Sequence, residues 1–280
     1  VLLHDSYPHM AIWVGKIRRG GLIERLWHRM NRLMYGRAIA TIVLCEKARA
    51  LVCSEYGIDP DRVHVIPNWA DPDALSPRPK DGTEFARKHG LADHFTVMYS
   101  GNLGLYYDFD TLLGAAEILK DEPVRFVLVG AGGRGRHLAD EIARRRLSNV
   151  LMLPYQPFET LNDSLNACDA SLVTIAPGIE GISFPSKFYS SLATGKPVLA
   201  ISEPDSELRR AVEASGCGVW TPVGDPESLA AAIRALASDP VRCAEAGRRA
   251  RDLLERDYTV QACGGRYLEV LEDAARSPSR

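Results

Sequence analysis

From Phe95 onward, short runs of β-branched and aliphatic residues alternate with segments of helical periodicity, and this alternation constrains the chain more than any other feature. A helix between each pair of successive apolar runs is the signal for βαβ units and a parallel sheet. Strands are expected over 95–100, 124–129, 149–153, 170–175, 197–201 and 218–221. Helices are expected over about 109–119, 136–146, 158–167, 185–194, 205–215 and 225–237. Six strands with interleaved helices make one doubly wound, Rossmann-like domain. Two more amphipathic stretches, 240–255 and 259–274, follow it. Upstream, 1–3, 39–44 and 63–66 read as buried strands, with helices over 22–36 and 46–56, like the tail of a second α/β domain. The aperiodic stretch from Pro67-Asn68-Trp69 to Pro77-Arg78-Pro79 is the natural linker.

With 280 residues, 46% hydrophobic and 25% charged, the chain can bury a full core and falls outside the disordered, collagen-like and disulfide-scaffold classes. Its six cysteines show neither a C-x-x-C pair nor zinc-ligand spacing, as expected of reduced thiols in a cytoplasmic protein. No apolar stretch approaches the roughly 18–20 residues that span a bilayer, so membrane contact is expected to be peripheral. Val1 opens in mid apolar run, which predicts further sequence ahead of it. Residues 1–80 carry 12 Lys/Arg against 8 Asp/Glu and the remainder 22 against 28, so neither part is basic enough to predict nucleic-acid binding. Residues 11–44, however, hold seven Lys/Arg against the single acid Glu24.

Gly130-Ala131-Gly132-Gly133-Arg134-Gly135 fits G-x-G-x-x-G after a strand, but no acid falls in 150–156, where a dinucleotide's ribose would need one. A tight strand-to-helix turn near a ligand is the better reading. Asp108-Phe109-Asp110 resembles a metal-holding D-x-D, yet helical periodicity begins directly after it, which predicts a helix cap. Two loops have stronger chemistry. Ser100-Gly101-Asn102-Leu103-Gly104 lies at the carboxyl end of the first strand of the domain, where open α/β sheets bind ligands. Glu180-Gly181-Ile182-Ser183-Phe184-Pro185-Ser186-Lys187 leads into a helix, and its N–H groups, the Ser186 hydroxyl and the Lys187 ammonium could converge on a diphosphate. Each loop alone is equally well read as a capped helix start.

Phe184-Pro185-Ser186-Lys187-Phe188-Tyr189 followed by Leu192-Ala193-Thr194-Gly195-Lys196-Pro197-Val198 resembles the donor-site signature of retaining glycosyltransferases of family 4, in the bacterial branch with Pro-Ser-Lys. Tyr99-Ser100-Gly101-Asn102-Leu103-Gly104, Leu128-Val129-Gly130-Ala131-Gly132 and Val65-Ile66-Pro67-Asn68-Trp69-Ala70-Asp71 support it, and the likeness runs from about Val1 to Glu272. It implies an α/β GT-B fold of two Rossmann-like domains, the C-terminal one complete and the N-terminal one partial. The expected division is 1–76 (acceptor side), 77–256 (nucleotide-sugar side) and 257–280, a helix returning to the N-terminal domain plus a tail. By the same resemblance Gly101, Asn102 and Gly104 would line the diphosphate, Ser186 and Lys187 would neutralise it, and Glu180 and Gly181 would approach the sugar. Pro154 and Tyr155 would face the base. Ser190 stands where most of the family has a ribose-holding Glu, and the usual first-loop Arg and Lys give way to Asn102 and an acidic, aromatic stretch. His4 resembles the position of an active-site His; a solvated or capping His is the other reading.

Leu22, Ile23, Leu26, Trp27, Met30, Leu33 and Met34 fall on one helical stripe and Arg25, Arg29 and Arg32 on another. Packing of the apolar stripe on the N-terminal sheet is the preferred reading; a seat in an anionic membrane surface through residues 16–37 is the other, and both can hold. The combined expectation is a metal-independent, cofactor-free hexosyltransferase. It would move a sugar with retention from a nucleotide diphosphate donor to a saccharide or polyprenyl-linked acceptor, in cell-surface polysaccharide or lipopolysaccharide assembly at the inner face of the plasma membrane. An inactive nucleotide-sugar-binding fragment and another GT-B enzyme, such as a sugar-nucleotide epimerase, are the alternatives.

Overall fold

The computed structural model describes residues 1–276, which divide into two compact units. The first comprises Val1–Trp69, Gly178–Phe184 and the chain from Asp257; the second comprises Ala70–Pro177 and Pro185–Arg256. The boundary thus falls seven residues before the expected 76/77, and the expected second domain gives up 178–184 to the first unit.

In the first unit β1 (Leu2–Leu3) leads through α1 (His9–Trp13) and α2 (Leu22–Arg37) to β2 (Thr41–Val43), then through α3 (Glu46–Tyr56) to β3 (Val63–Val65). The three strands pair in parallel in the order β1-β2-β3. Val43, Val52, Tyr35, Tyr56 and Val63 form the core between sheet and helices. The inward face of α2 departs from expectation. Asn31 and Tyr35 are buried, whereas Leu22, Ile23, Leu26, Met30, Leu33 and Met34 are exposed, from 83% at Leu22 to 46% at Met34. The buried face is held by specific contacts rather than aliphatic area. Asn31 Nδ2 donates to Tyr7 O (2.6 Å) and Tyr56 Oη (3.1 Å), Tyr35 meets Tyr56 edge-on at 5.0 Å, and His28 stacks on Tyr56 at 4.6 Å.

The second unit opens with α4 (Glu84–Lys88), capped by Thr83, whose hydroxyl accepts from Ala86 N–H at 3.2 Å. There follow β4 (Phe95–Ser100), α5 (Asp110–Ile118), β5 (Val124–Val129), α6 (Gly135–Arg145), β6 (Val150–Leu153), α7 (Phe158–Asn166), β7 (Ala170–Thr174), α8 (Lys187–Ala193), β8 (Val198–Ser202), α9 (Glu207–Ser215), β9 (Gly218–Pro222), α10 (Pro226–Ser238) and α11 (Pro240–Asp257). All six strands are parallel, in the order β6-β5-β4-β7-β8-β9. Successive strand residues point to opposite faces, and both faces are covered. Val97, Tyr99, Phe126 and Leu128 pack with α5 and α10, while Met98, Val127 and Val129 pack with Phe85, Ala86 and Ala167. The expected linker is fixed from Ala70 on. Asn166 brackets it by accepting from Arg78 N–H (2.7 Å) and donating to Ser76 O (2.9 Å), and Arg251 donates to Leu75 O and Pro72 O.

The chain then returns to the first unit in α12 (Val260–Arg276), where buried Cys263 packs against Ile42 and Ile66. The tail of the expected 257–280 segment, residues 277–280, lies outside the described residues.

Candidate functional site

The strand order of the second unit reverses between β4 and β7, and a ligand crevice forms outside the carboxyl ends of strands at such a switch point. The loop after β4 there packs on the loop after β5. Gly101 N–H donates to Val129 O, Leu103 N–H to Ala131 O and Arg134 N–H to Leu103 O, each at 2.9 Å. This contact explains the glycine run. Gly130 has φ +142° and a Cβ there would lie 1.9 Å from Gly101 O; one on Gly132 would lie 2.4 Å from Asn102 Oδ1 and Leu103 O. The glycines therefore permit one backbone to lie against another, the tight-turn reading of the sequence. Asn102 also lies beside Gly104, with Nδ2 3.1 Å from the Cβ position of that glycine.

Lys187 reaches the same loops from α8. Its Cε lies 3.3 Å from the Cβ position of Gly101, and its Nζ lies over the Tyr107 ring at 3.6 Å and the Tyr99 ring at 4.8 Å from the centroids. Burial lowers its pKa to about 7, with no carboxylate opposing the shift. Ser186 beside it is exposed. The first turn of α8 differs from the open helix start that the sequence suggests. Phe188 N–H bonds to Pro185 O (3.0 Å) and Tyr189 N–H to Ser186 O (3.1 Å), so these two donors are spent within the turn. The Ser190 hydroxyl donates to Lys187 O at 3.0 Å, which leaves it an acceptor toward any ligand. Pro154 and Tyr155 are exposed after β6, with Gln156 Nε2 donating to Pro154 O at 2.9 Å.

Gly101, Asn102, Gly104, Ser186, Lys187, Ser190, Pro154 and Tyr155 belong to the second unit; His4, Glu180 and Gly181 belong to the first. Within the first unit, Ser6 N–H donates to Ile182 O at 2.8 Å, and Gly181, at φ +77°, has its Cβ position 3.1 Å from the Lys47 carbonyl. His4 is exposed just after β1, and it lines with Gly181, Cys45 and Phe184 a cavity of only about 10 Å³. Glu180 is half-buried. Asp108 caps α5: its carboxylate accepts from Asp110 N–H (3.1 Å), Thr111 N–H (3.4 Å) and the Thr111 hydroxyl, while Asp110 pairs with Arg134 at 3.4 Å. Both carboxylates of the apparent D-x-D are thus engaged by the protein. Burial raises Cys168 to about 11, which makes it a poor nucleophile.

Two contributors were missed in the sequence. Tyr107 supplies the ring nearest the Lys187 ammonium, and Arg134 donates to Tyr107 O at 3.4 Å. The aromatic doublet Tyr106-Tyr107, in the loop where a cation was expected, was the available signal.

A family model described as Glycosyl transferases group 1 matches residues 81–253, and one described as Glycosyltransferase Family 4 matches residues 2–74. The chain is 28% identical over 264 residues to "Probable glycosyltransferase WbjE" of Pseudomonas aeruginosa, covering 92% of this chain and 64% of that protein. It is 30% identical over 183 residues to "Putative colanic acid biosynthesis glycosyl transferase WcaI" of Escherichia coli K12, covering 64% of this chain and 45% of that protein. The chain therefore spans less than two thirds of the length of either relative. Among solved structures, Anabaena Alr3699/HepE in complex with UDP superposes with TM-score 0.78 at 20% identity, covering 97% of this chain and 71% of that one. The same protein in complex with UDP-glucose gives TM-score 0.74 at 22% identity, covering 84% and 64%. These likenesses give the fold as GT-B.

Proposed function

Since the chain belongs to the glycosyl transferases group 1 family, we propose that it transfers a hexosyl group, with retention, from a nucleotide diphosphate sugar to a lipid-linked or free saccharide in surface-polysaccharide assembly. The observation that carries this reading is Lys187, a cation without an acidic partner among the described residues, held at the switch point beside Gly101. Negative charge develops on the leaving diphosphate in the transition state, and a preorganised cation there stabilises it. Ser186 adds a hydroxyl donor, and Gly101, Asn102 and Gly104 line the diphosphate. Pro154 and Tyr155 face the base and Ser190 accepts from the ribose. Glu180 and Gly181 take the sugar hydroxyls and His4 serves the acceptor side. The remaining catalysis is positional: the acceptor hydroxyl attacks the anomeric carbon on the face from which the diphosphate departs, the bond from that carbon to the phosphate oxygen breaks, and the hydroxyl proton passes to the departing phosphate oxygen. No metal or cofactor enters this scheme, because Lys187 carries the charge compensation. UDP is the first base to test, given the nucleotide bound in the superposing structures.

The exposed apolar stripe of α2, bordered by Arg25, Arg29, Arg32 and Arg37, seats the chain peripherally on the anionic cytoplasmic face of the plasma membrane, where a lipid-linked acceptor resides. No described helix is long and apolar enough to cross a membrane.

A thermal-shift screen against UDP-, GDP- and dTDP-sugars, with Mg²⁺ or EDTA, tests the donor reading. At 100 times its dissociation constant a ligand adds about 2.7 kcal/mol, a shift of several degrees. A shift with one base, equal in EDTA, is expected. No shift with any of them overturns the reading, as does an epimerised donor in the absence of acceptor.

A further inference from the structure

A lysine held ready for an anion must be kept charged and aimed by something before the anion arrives. In most proteins that partner is a carboxylate. Lys187 forms no ion pair or hydrogen bond through its ammonium among the described residues, and the acids of the facing loop are committed elsewhere, Asp108 to the start of α5 and Asp110 to Arg134. The groups that face it are the Tyr99 ring from β4, the Gly101 backbone and the Tyr107 ring. On its own helix the nearest polar neighbour, Ser190, spends its proton on the Lys187 carbonyl. Tyr99 is a fixed floor: fully buried, edge-on to Phe109 at 4.9 Å, with its hydroxyl donating to Asn102 O at 2.6 Å. Tyr107 is half-buried, and Arg134 holds its carbonyl. It offers the closer ring face, and the negative face of a ring attracts an ammonium without neutralising it.

We propose that Tyr107 is a positioning residue of this site: its ring seats the Lys187 ammonium in place of a carboxylate counter-ion, so that its charge is shared with no acid when the diphosphate arrives. A carboxylate in that place would have to be displaced by the incoming anion, or would repel it. The ring does neither. The inference deepens the donor-binding reading and rests on it for the identity of the anion.

The test uses the full chain and the substitutions Tyr107→Phe, which keeps the ring, and Tyr107→Leu, which removes it. In the ligand-free protein, NMR titration of ¹⁵N-labelled lysine side chains, with the Lys187 signal assigned by its loss in Lys187→Met, reads the midpoint of Lys187 directly. Tyr107→Phe should leave the midpoint in place, and Tyr107→Leu should lower it by about half a unit or more, because the charged form loses its ring. UDP-glucose, whose diphosphate does not titrate between pH 6 and 9, should bind Tyr107→Phe within about threefold of the parent and Tyr107→Leu about tenfold more weakly. Equal midpoints in all three proteins overturn the seat. If the parent binds no nucleotide sugar the transferase reading fails, while the midpoints still decide the role of Tyr107. Should Tyr107→Leu fail to fold, Tyr107→Met makes the same comparison.

Discussion

A Cβ on Gly130 would lie 1.9 Å from the carbonyl oxygen of Gly101, so the loops after two neighbouring strands are in backbone contact at the carboxyl edge of the sheet. Gly130→Ala must part these loops and also place an alanine at φ +142°, a conformation that costs about 1–3 kcal/mol before any clash. The expected outcome is a loss of about 3 kcal/mol or more, with donor binding lost alongside. Urea unfolding checks it; a variant with unchanged midpoint would show that the loops separate freely.

Lys187→Ala should weaken a diphosphate donor by roughly 1.5–3 kcal/mol, the worth of a charged hydrogen bond, without loss of stability. Stability should move in the other direction. Burial lowers Lys187 to about 7, so between pH 7 and the ordinary lysine range the unfolded chain binds more protons than the folded one, and stability from this group rises with pH. Below pH 7 the folded protein must hold the dehydrated charge. Lys187→Met should therefore stabilise most in acid, and its advantage should shrink as pH rises from 7 toward 10. Urea titrations at three pH values measure this; a pH-independent difference would contradict it.

Asp108→Ala removes the cap of α5 and should cost about 1–2 kcal/mol. Calorimetry reads the loss. Mg²⁺ should shift neither the parent nor the variant, and a Mg²⁺-dependent shift lost in Asp108→Ala would restore the metal reading of Asp108-Phe109-Asp110.

Leu26→Glu with Met30→Glu places two acids in the exposed stripe of α2, away from buried Asn31 and Tyr35. Sedimentation with phosphatidylglycerol vesicles should fall at least tenfold, because each substitution removes apolar insertion and adds repulsion, while the melting temperature stays put. Phosphatidylcholine vesicles should bind neither protein. Light scattering showing a dimer that the double variant dissolves would instead assign the stripe to a second copy of the chain.

The parallel sheet of the second unit was legible because β-branched runs such as Phe95–Ser100 and Val124–Val129 are bounded by Gly, Pro and capping residues. The two candidate donor loops were singled out by their place at the end of one strand and the start of one helix, and the structure sets them after β4 and before α8. The inward face of α2 was not legible: hydropathy periodicity assumes that aliphatic residues turn inward, whereas this helix buries an amide that donates to Tyr7 and Tyr56 and a tyrosine that meets Tyr56 edge-on. Nor could the ring over Lys187 be read, because Tyr107 and Lys187 lie far apart in the chain and meet only through the crossing from β6 back to β7. The allegiance of Gly178–Phe184 depends likewise on long-range bonds such as Ser6 N–H to Ile182 O.

The return of α12 to the first unit has a consequence for synthesis on the ribosome. Arg266 donates to Val65 O across 201 residues, and Cys263 fills the space between Ile42 and Ile66. The β1–β3 sheet therefore leaves the ribosome ahead of its cover and waits, with Ile42 and Ile66 uncovered, until α12 has been made, whereas the whole second unit precedes α12 in the chain. The second unit should finish folding before the first, whose sheet should be the part that chaperones hold.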